Sequence, residues 1–147
     1  MHILALLIKL TFWDLLVYSK TIYGEARGEP ELGQAAVAHV ILNRIKDPRW
    51  PDSLAKVCME KKQFSVWNEN DPNRMKIQDL NLTDPVFLKS LYVGLGALLD
   101  VVPDPTLGAT HYLNIRQANP DWADSSNMRF RGTWGNHTFY YEAGPGD

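Results

Sequence analysis

The sequence predicts a mostly helical α+β fold, in a single domain over residues 1–147, with a small β-hairpin or sheet near its end. Apolar residues recur at spacings of three and four over much of the first hundred residues, which is the pattern of amphipathic helices. Short aromatic stretches that resemble strands occur after residue 108. A chain of 147 residues, 45% hydrophobic and 22% charged, suits one domain with one core.

The first helix is predicted from Phe12 to Tyr23, where the apolar positions form one stripe. It should end in the segment Gly24–Gly28, because two glycines there bracket charged residues. The apolar run Met1–Leu10 is expected to form the first turns of a buried helix, so residues 1–11 are treated as an N-terminal helix extension. The alternative, a weak signal anchor, lacks a basic start and a small-residue cleavage site.

Capping residues predict where the later helices begin. The segment Glu29–Glu31 places a proline in the first turn and acids at the positive end of the second long helix. Ser53 is expected to cap a short helix that ends at Met59, and Asp84-Pro85 to start a third long helix. The polar run Asn68–Asn73 is expected to be an exposed loop.

The strands are expected late in the chain. Ala109–Asn114 and His137–Tyr141 have the aromatic and β-branched content of strands. A polar loop is expected between them, and residues 142–147 are expected to form a frayed tail.

The charge balance and cysteine content exclude several classes of protein. The formal net charge is -2 and no basic stripe is present, so nucleic acid is not an expected partner. The single cysteine, Cys58, cannot form an intrachain disulfide, which is consistent with synthesis in a reducing cytoplasm. Lys9 and Asp14 interrupt the N-terminal apolar run, so no stable membrane insertion is expected. With no sign of an oligomer, a monomer is assumed.

Glu25 is the residue that most directly suggests a chemical function. A carboxylate at the end of an apolar helix, flanked by glycines, can lie half-buried beside a cleft. Burial raises its pKa, and a carboxylic acid that is protonated at neutral pH is what glycosidic cleavage requires. The structural alternative is a solvated glutamate that pairs with Arg27 or caps the following helix. The residues alone leave both interpretations open.

Several ordered blocks resemble the cell-wall hydrolase family of spore-cortex-lytic enzymes and related phage endolysins. The resemblance extends across most of the chain, which makes it more specific than a single motif. The blocks are Tyr23–Glu29, Gly33–Ala38, Val40–Arg44, Trp50-Pro51, Gln63–Ser65, Trp67, Gly108–Asn114 and His137–Tyr140.

This resemblance implies a lysozyme-like, lytic-transglycosylase-like fold and a peptidoglycan glycan strand as the partner. It implies cleavage between N-acetylmuramic acid and N-acetylglucosamine, with Glu25 at the position of the catalytic glutamate and Glu29 as the second candidate. Because there is no clear signal peptide, a phage-type endolysin is expected. Such a protein is made in the host cytoplasm and acts at the bacterial cell wall or periplasm.

The number of carboxylates favours transglycosylation over hydrolysis. A hydrolase normally needs two positioned carboxylates, whereas a lytic transglycosylase needs one, because the muramic acid C6 hydroxyl attacks its own C1. No second acid lies in a family block as clearly as Glu25 does. Asp71, Asp104 and Asp121 lie in predicted loops and remain candidates, so hydrolysis by a muramidase is the close alternative.

The supporting residues of the site are predicted with a structural alternative for each. Gln63 and Ser65 can form hydrogen bonds with a sugar acetamido group or orient Glu25. Tyr112 and Asn114 alternate with Leu113 on a strand, so both are expected to face the cleft. The aromatic side chains predicted to stack on sugar rings are those of Trp67 and Tyr140. Each of these six residues has the alternative role of a core aromatic or a loop hydrogen bond.

Two other functions remain as hypotheses, and no cofactor or metal is expected. A zinc-dependent N-acetylmuramoyl-L-alanine amidase would draw on His39, His111, His137 and Cys58. No HxxxH or CxxC pairing supports it. His111 and His137 lie on the two predicted strands, however, and would be neighbours if those strands paired with the two histidines side by side. An inactive wall-binding module is the third hypothesis, and the intact Glu25 motif argues against it.

Overall fold

The computed structural model describes residues 6–7, 9–61, 63–114, 116, 120–144 and 147. The helices with defined bounds among them are α1 (Phe12–Ala26), α2 (Glu31–Lys46), α3 (Leu54–Met59), α4 (Pro72–Gln78) and α5 (Pro85–Leu98). The strands are β1 (His111–Asn114), β2 (Met128–Trp134) and β3 (His137–Glu142), and two 3-10 turns cover Ser65–Trp67 and Asp121–Asp124. The predicted α+β fold, mostly helical with a small sheet, is confirmed.

Helix α1 begins at a capping box and ends where the glycines predicted it. The hydroxyl of Thr11 accepts a hydrogen bond from the backbone N–H of Asp14, and Asp14 accepts one from the backbone N–H of Thr11. Asp14 also accepts a bond of 3.0 Å from the N–H of Ala55, so the cap of α1 fixes the start of α3. The predicted stripe was wrong at Phe12, which is 80% exposed, because the first turn directs Asp14 rather than Phe12 toward α3.

The predicted N-terminal extension lies partly outside the described residues, which omit residues 1–5 and 8. Within the described part, Leu6 and Leu10 pack against the helical core. No helix that the structure describes combines the length and apolar character needed to cross a membrane.

Helix α2 is the central element, and it contacts both halves of the fold. On one side it packs with α1 and α5, where Tyr18 is fully buried and donates a hydrogen bond of 2.8 Å to the carbonyl of Gly94. On the other side its small residues meet the sheet in a second core of Ala26, Ala36, Val37, Val40, Ala109 and Phe139. Leu32 was predicted on the buried stripe, but it lies in the exposed first turn and is 55% exposed.

Two capping predictions are confirmed, and one loop prediction was partly wrong. Ser53 caps α3, and Asp84 caps α5 by accepting bonds from the next two N–H groups of that helix. The segment Asn68–Asn73 was predicted to be a loop, but α4 begins inside it. Asp71 accepts a bond of 2.8 Å from the N–H of Asn73, and Pro72 occupies the first helical position.

The sheet contains three antiparallel strands in the order β1-β3-β2. The two predicted strands pair directly, with Tyr112 opposite Phe139 and Asn114 opposite His137. The polar loop predicted between them contains β2, which sequence analysis missed. This edge strand has little alternation of apolar and polar residues, since Arg129, Phe130 and Arg131 are all exposed, and a bulge interrupts its register before Gly132.

The tail predicted to be frayed is bonded over part of its length. Glu142 is the last residue of β3, and the N–H of Ala143 donates to the carbonyl of Asn127 at 2.8 Å. The Asp147 carboxylate accepts from the Tyr141 hydroxyl at 2.6 Å. Residues 145 and 146 lie outside the described part of the chain.

Candidate active site

Glu25 lies in the last turn of α1, where its half-buried carboxylate points toward β1. The hydroxyl of Tyr112 donates a hydrogen bond of 2.8 Å to its Oε1 atom. Burial raises the pKa of Glu25, and the hydrogen bond from Tyr112 lowers it in part. Glu25 therefore contacts the face of β1 that carries Tyr112, and its carboxyl group has the environment of a general acid.

Tyr112 is held by aromatic side chains from two sides. The centroid of its ring lies 4.8 Å from that of His137 and 5.4 Å from that of Phe139, both on β3. Phe64 approaches from the helical side at 6.4 Å. Burial raises the pKa of Tyr112 well above its ordinary value, and the neighbouring Glu25 raises it further. The phenol therefore remains a donor to Glu25 over the whole range in which the carboxyl group titrates.

The 3-10 turn Ser65–Trp67 brings two further hydrogen-bond donors to Glu25. The Ser65 hydroxyl and the Val66 backbone N–H each lower the pKa of Glu25, after the larger effects of burial and Tyr112. Gly24 makes the approach possible, because a Cβ atom at that position would lie 2.9 Å from Cβ of Val66. Ser65 therefore acts on the pKa of Glu25, and its role in orienting that carboxyl group stays a prediction. Gln63 is exposed, and its backbone N–H bonds to the carbonyl of Glu60.

Of the three loop aspartates that were candidates for a second acid, Asp71 is the one coupled to Glu25. Its negative charge raises the pKa of Glu25. Asp104 is occupied by bonds from Asn43, Thr106 and the N–H of Gly108, which lower its pKa despite burial. Asp121 lies exposed in the second 3-10 turn. Of the three, Asp71 is therefore the one whose charge acts on Glu25.

The remaining predicted site residues, Asn114, Trp67 and Tyr140, differ in their contacts, and the two that lie on the sheet are on opposite faces of it. Asn114 shares the face of Tyr112 by strand alternation, and its Oδ1 atom accepts a bond from the N–H of Arg116. Trp67 is half-buried and donates its indole N–H to the hydroxyl of Thr21 at 2.8 Å, so its polar edge is already used. Tyr140 pairs with His111 on the opposite face of the sheet. Stacking of Trp67 or Tyr140 on a sugar stays a prediction.

Arg44 belongs to the surroundings of the site, although the sequence did not predict it there. This side chain is 4% exposed, and its Nε atom donates to the carbonyl of Thr110 at 2.8 Å. Its guanidinium group lies between the rings of Trp50 and Phe64, at 4.0 and 5.1 Å from their centroids. Burial lowers its pKa to about 10, so it remains a cation at neutral pH. A charged residue on the buried stripe of a helix was the feature in the sequence that indicated it.

Glu29 has a structural contact rather than a place beside Glu25. Its carboxylate accepts hydrogen bonds from the backbone N–H of Asn136 at 3.1 Å and from the side chain of Asn136 at 3.3 Å. His137 Nδ1 lies 3.9 Å from the same carboxylate. Glu29 thus binds the β2–β3 turn to the junction of α1 and α2. The structural role expected for Glu29 is present, but its partner is the sheet rather than the following helix.

The three histidines that the structure describes do not form a cluster. His39 Nε2 lies 2.7 Å from the carbonyl oxygen of Val102. His111 and His137 were considered as neighbours, but the antiparallel register places them at opposite ends of the β1–β3 pair. Among the residues that the structure describes, no group of three or more His, Cys, Asp or Glu side chains has the geometry to hold a metal. The donor set of the zinc hypothesis is therefore not assembled by these residues.

Comparisons with known proteins agree with this architecture. The spore cortex-lytic enzymes of Halalkalibacterium halodurans and Bacillus subtilis (strain 168) are 33% and 32% identical in sequence to this chain. Each match extends over 111 residues, which is 74% of this chain. The matched region spans 29% and 32% of those two proteins' own lengths.

Two solved structures have the same fold. The catalytic domain of the germination-specific lytic transglycosylase SleB from Bacillus anthracis has a TM-score of 0.70 and 29% identity, and the match covers 89% of this chain and 96% of that one. The catalytic domain of the Bacillus cereus SleB protein has a TM-score of 0.69 and 29% identity, covering 86% and 88% of the two chains. The predicted lysozyme-like fold is confirmed.

The family profile described as Cell Wall Hydrolase matches residues 28–140, a range that begins three residues after Glu25 and includes Tyr112. Because this range covers most of the sequence, the chain belongs to the cell wall hydrolase family.

Proposed function

We propose that this chain acts at the bacterial cell wall and cleaves the glycan strand of peptidoglycan between N-acetylmuramic acid and N-acetylglucosamine, as a lytic transglycosylase. The observation that carries the proposal is the half-buried carboxyl group of Glu25, whose pKa burial raises and to which Tyr112 donates a hydrogen bond. Spore cortex-lytic enzymes and a SleB domain described as a germination-specific lytic transglycosylase support it as relatives. A phage-type endolysin made in a host cytoplasm stays a prediction.

The reaction needs one group that first gives and then takes a proton. Protonated Glu25 donates its proton to the glycosidic oxygen as the bond between that oxygen and C1 of the muramic acid breaks. The resulting carboxylate then accepts the proton of the C6 hydroxyl, whose oxygen bonds to C1 and closes a 1,6-anhydro ring. No water is consumed. Hydrogen bonds from Tyr112, Ser65 and the Val66 N–H stabilise the carboxylate that exists between the two steps.

Glu25→Gln is expected to remove nearly all activity, because an amide cannot donate or accept the proton while its oxygen can still accept the bond from Tyr112. Purified peptidoglycan would be digested and the soluble fragments identified by mass spectrometry, with thermal unfolding to show that the variant is folded. Glu31→Gln, which changes an exposed glutamate in the first turn of α2, is the matched control and should stay active. Full activity of Glu25→Gln would disprove the assignment.

Hydrolysis by a muramidase is the second candidate function, and Asp71 favours it, because its charge acts on Glu25. Fragments that end in 1,6-anhydro-muramic acid support the transglycosylase, whereas reducing muramic acid ends support the muramidase. Asp71→Asn separates the two on the protein side, since asparagine also caps a helix well. A transglycosylase should keep its turnover in the Asp71→Asn variant, and a muramidase that uses Asp71 should lose it. Free stem peptides among the products would instead indicate an amidase.

A further inference from the structure

Arg44 is a buried cation with few polar partners. Its side chain is 4% exposed, and among the residues that the structure describes no carboxylate lies within 4.0 Å of its guanidinium group. The Nε atom donates to the carbonyl of Thr110 at 2.8 Å, whereas the buried Nη1 atom has no hydrogen-bond partner in the described part of the chain. Burying a charge without a neighbouring acid costs stability, and exceptions of this kind are typical of functional sites.

Two aromatic rings fix the position of the guanidinium group. Its central carbon atom lies 4.0 Å from the centroid of the Trp50 ring and 5.1 Å from that of the Phe64 ring. Cation–π contacts become stronger when the cation is removed from water. The rings therefore hold the charge of Arg44 in one place and offset part of the cost of its burial.

Arg44 contacts both segments that bring hydrogen-bond donors to Glu25. Thr110, which accepts its bond, lies two residues before Tyr112 on the segment that leads into β1. Phe64 immediately precedes the 3-10 turn that carries the other donors, and its ring centroid lies 6.4 Å from that of Tyr112. One aromatic side chain thus separates the cation from the tyrosine that donates to Glu25 at 2.8 Å.

The charge of Arg44 acts on the same pair of groups. Burial lowers the pKa of Arg44, and the negative charges of Tyr112 and Glu25 oppose that shift. The interaction is mutual, so the cation favours the ionised form of both groups. Tyr112 stays a neutral donor, because burial and the neighbouring Glu25 raise its pKa and the Arg44 cation lowers it only in part. Glu25 is therefore the group of this pair that gains a negative charge during the proposed reaction.

We propose that Arg44 is a positioning residue of the reaction centre, whose buried cation acts across Tyr112 to stabilise the Glu25 carboxylate that exists between the two proton transfers. The inference rests on the proposed function, since that function supplies the two transfers. Arg44 touches no substrate in this role. The lack of a carboxylate beside Arg44 in the part of the chain that the structure describes agrees with it, because such an acid would neutralise the charge that acts on Glu25.

The test removes the charge and the hydrogen bond of Arg44 separately. Arg44→Gln places its Nε2 atom where the Nε atom of arginine stands, so the bond to Thr110 can persist while the cation is lost. The alkaline limb of the pH profile of kcat/KM should then move up by about half a unit, with kcat about threefold lower, because Glu25 loses a favourable charge. Arg44→Lys keeps the cation and should keep the limb in place. Arg131→Gln, which removes an exposed cation from the ring of Tyr141 outside the site, is the matched control and should change neither value.

A purely structural role of Arg44 gives a different result. Loss of packing lowers kcat without changing the ionisation of Glu25, so a limb that stays in place in folded Arg44→Gln would overturn the proposal. A limb that moves equally in Arg44→Lys and Arg44→Gln would overturn it as well, since the charge would then not be the cause.

Glu25 can also be titrated without turnover, which separates this inference from the proposed function. The signal of its isotope-labelled carboxyl carbon, identified by its loss in Glu25→Gln, would be followed by NMR in the unmodified chain and in Arg44→Gln. Thermal unfolding shows whether the variant is folded, and Arg44→Met replaces it if the glutamine variant does not fold. A pKa of Glu25 that rises by about half a unit supports the inference even if the chain does not cleave glycan. An unchanged pKa overturns it, while release of 1,6-anhydro ends by the unmodified chain would leave the proposed function intact.

Discussion

At the scale of single residues, the environment of Glu25 combines two opposing effects. Burial raises its pKa and favours the protonated acid, whereas the hydrogen bonds from Tyr112, Ser65 and Val66 favour the carboxylate. A group that gives a proton and then takes one back benefits from a pKa near the working pH, because neither form is then strongly disfavoured. The geometry therefore suits one carboxyl group that acts twice.

Tyr112→Phe tests this balance. Loss of the hydrogen bond to Glu25 removes an effect that lowers its pKa, so the pKa should rise further. Because the first step needs protonated Glu25, the alkaline limb of the pH profile of kcat/KM should move to higher pH. The rate at the optimum should fall roughly 10- to 100-fold, the equivalent of a hydrogen bond to a charged group. Both are read from initial rates of fragment release between about pH 4 and 9, a range set by ordinary carboxyl and histidine pKa values.

Tyr141→Phe is the matched control for that experiment. It removes the same atom from a tyrosine that also donates to a carboxylate, Asp147, but outside the site. Its pH profile should coincide with that of the unmodified chain. An alkaline limb that stays in place in Tyr112→Phe would show that Glu25 is not the group whose protonation limits the rate.

Residues of the site differ in how far the sequence could predict them. Glu25 lies at a helix end and Tyr112 on an alternating strand, but these local patterns left structural roles open, and the resemblance to the cell-wall hydrolase family was needed to favour Glu25 as the catalytic residue. Arg44 was not assigned to the site, and Asp71 was only one of three candidates for a second acid, because the proximity of either residue to Glu25 depends on how α2 and α4 pack. Tyr140 was predicted on the residue type alone, and strand alternation places it on the other face.

At the scale of elements, the contact between α1 and the Ser65–Trp67 turn positions the donors around Glu25. Gly24→Ala should therefore lower both stability and activity. Alanine favours a helix by about 1 kcal/mol over glycine, but its Cβ would overlap the Val66 side chain, and overpacking costs roughly 1–3 kcal/mol. The turn must shift to accept it, which moves Ser65 and the Val66 N–H away from the carboxylate. Thermal unfolding and the rate of fragment release measure the two effects.

Gly28→Ala provides the comparison, because a Cβ atom there would meet nothing within 4 Å and the backbone angle φ is not in the left-handed region. It should leave activity unchanged and stability equal or slightly higher. If Gly24→Ala were as active and stable as Gly28→Ala, the close approach of Val66 would have no part in positioning Glu25.

The elements that sequence analysis missed share a physical reason. Helix α4 is seven residues long and β2 is an edge strand, so neither has the long apolar period that predicts an element. The start of α4 was nonetheless available from sequence, because Asp71-Pro72 has the same cap and first position as Asp84-Pro85. The long helices α1, α2 and α5 were predicted because their buried faces repeat over several turns.

At the scale of the whole molecule, polar side chains connect the helices to the segment that leads into the sheet. Asn43 on α2 donates to Asp104 and to the carbonyl of Ala109, both at 2.9 Å, and Arg44 donates to the carbonyl of Thr110. Glu29 makes the corresponding bonds to the β2–β3 turn. The Glu25–Tyr112 bond is thus one of several contacts across the same junction, and its geometry depends on all of them.

Two histidines of the sheet, the half-buried His111 and the buried His137, make this assembly sensitive to acid. Burial lowers the pKa of His111 from 6.5 to about 4, with the Arg44 and Arg49 cations acting in the same direction. Burial lowers the pKa of His137 as well, although Glu29 opposes the shift. A histidine with a lowered folded-state pKa binds fewer protons in the folded state than in the unfolded chain. Its contribution to stability is therefore complete above pH 6.5 and is lost as the pH falls toward 4.

The substitution His111→Phe should reduce this loss of stability at low pH. Phenylalanine keeps a ring between Trp50 and Trp122 but cannot take up a proton in the unfolded chain. The free energy of unfolding, measured by urea denaturation, should fall less steeply between about pH 7 and pH 4.5 in the variant, by about 2 kcal/mol over that interval. Protonation of Glu25 has the opposite effect, because its raised pKa makes the folded state more stable as the pH falls. This contribution is present in both proteins, so it cancels when their free energies of unfolding are compared. Thr110→Val, which removes the hydrogen bond of 3.0 Å to His111 Nδ1 and leaves the imidazole, should lower stability but still lose stability as the pH falls. Parallel curves for His111→Phe and the unmodified chain would mean that protonation of His111 does not determine the acid sensitivity of the molecule.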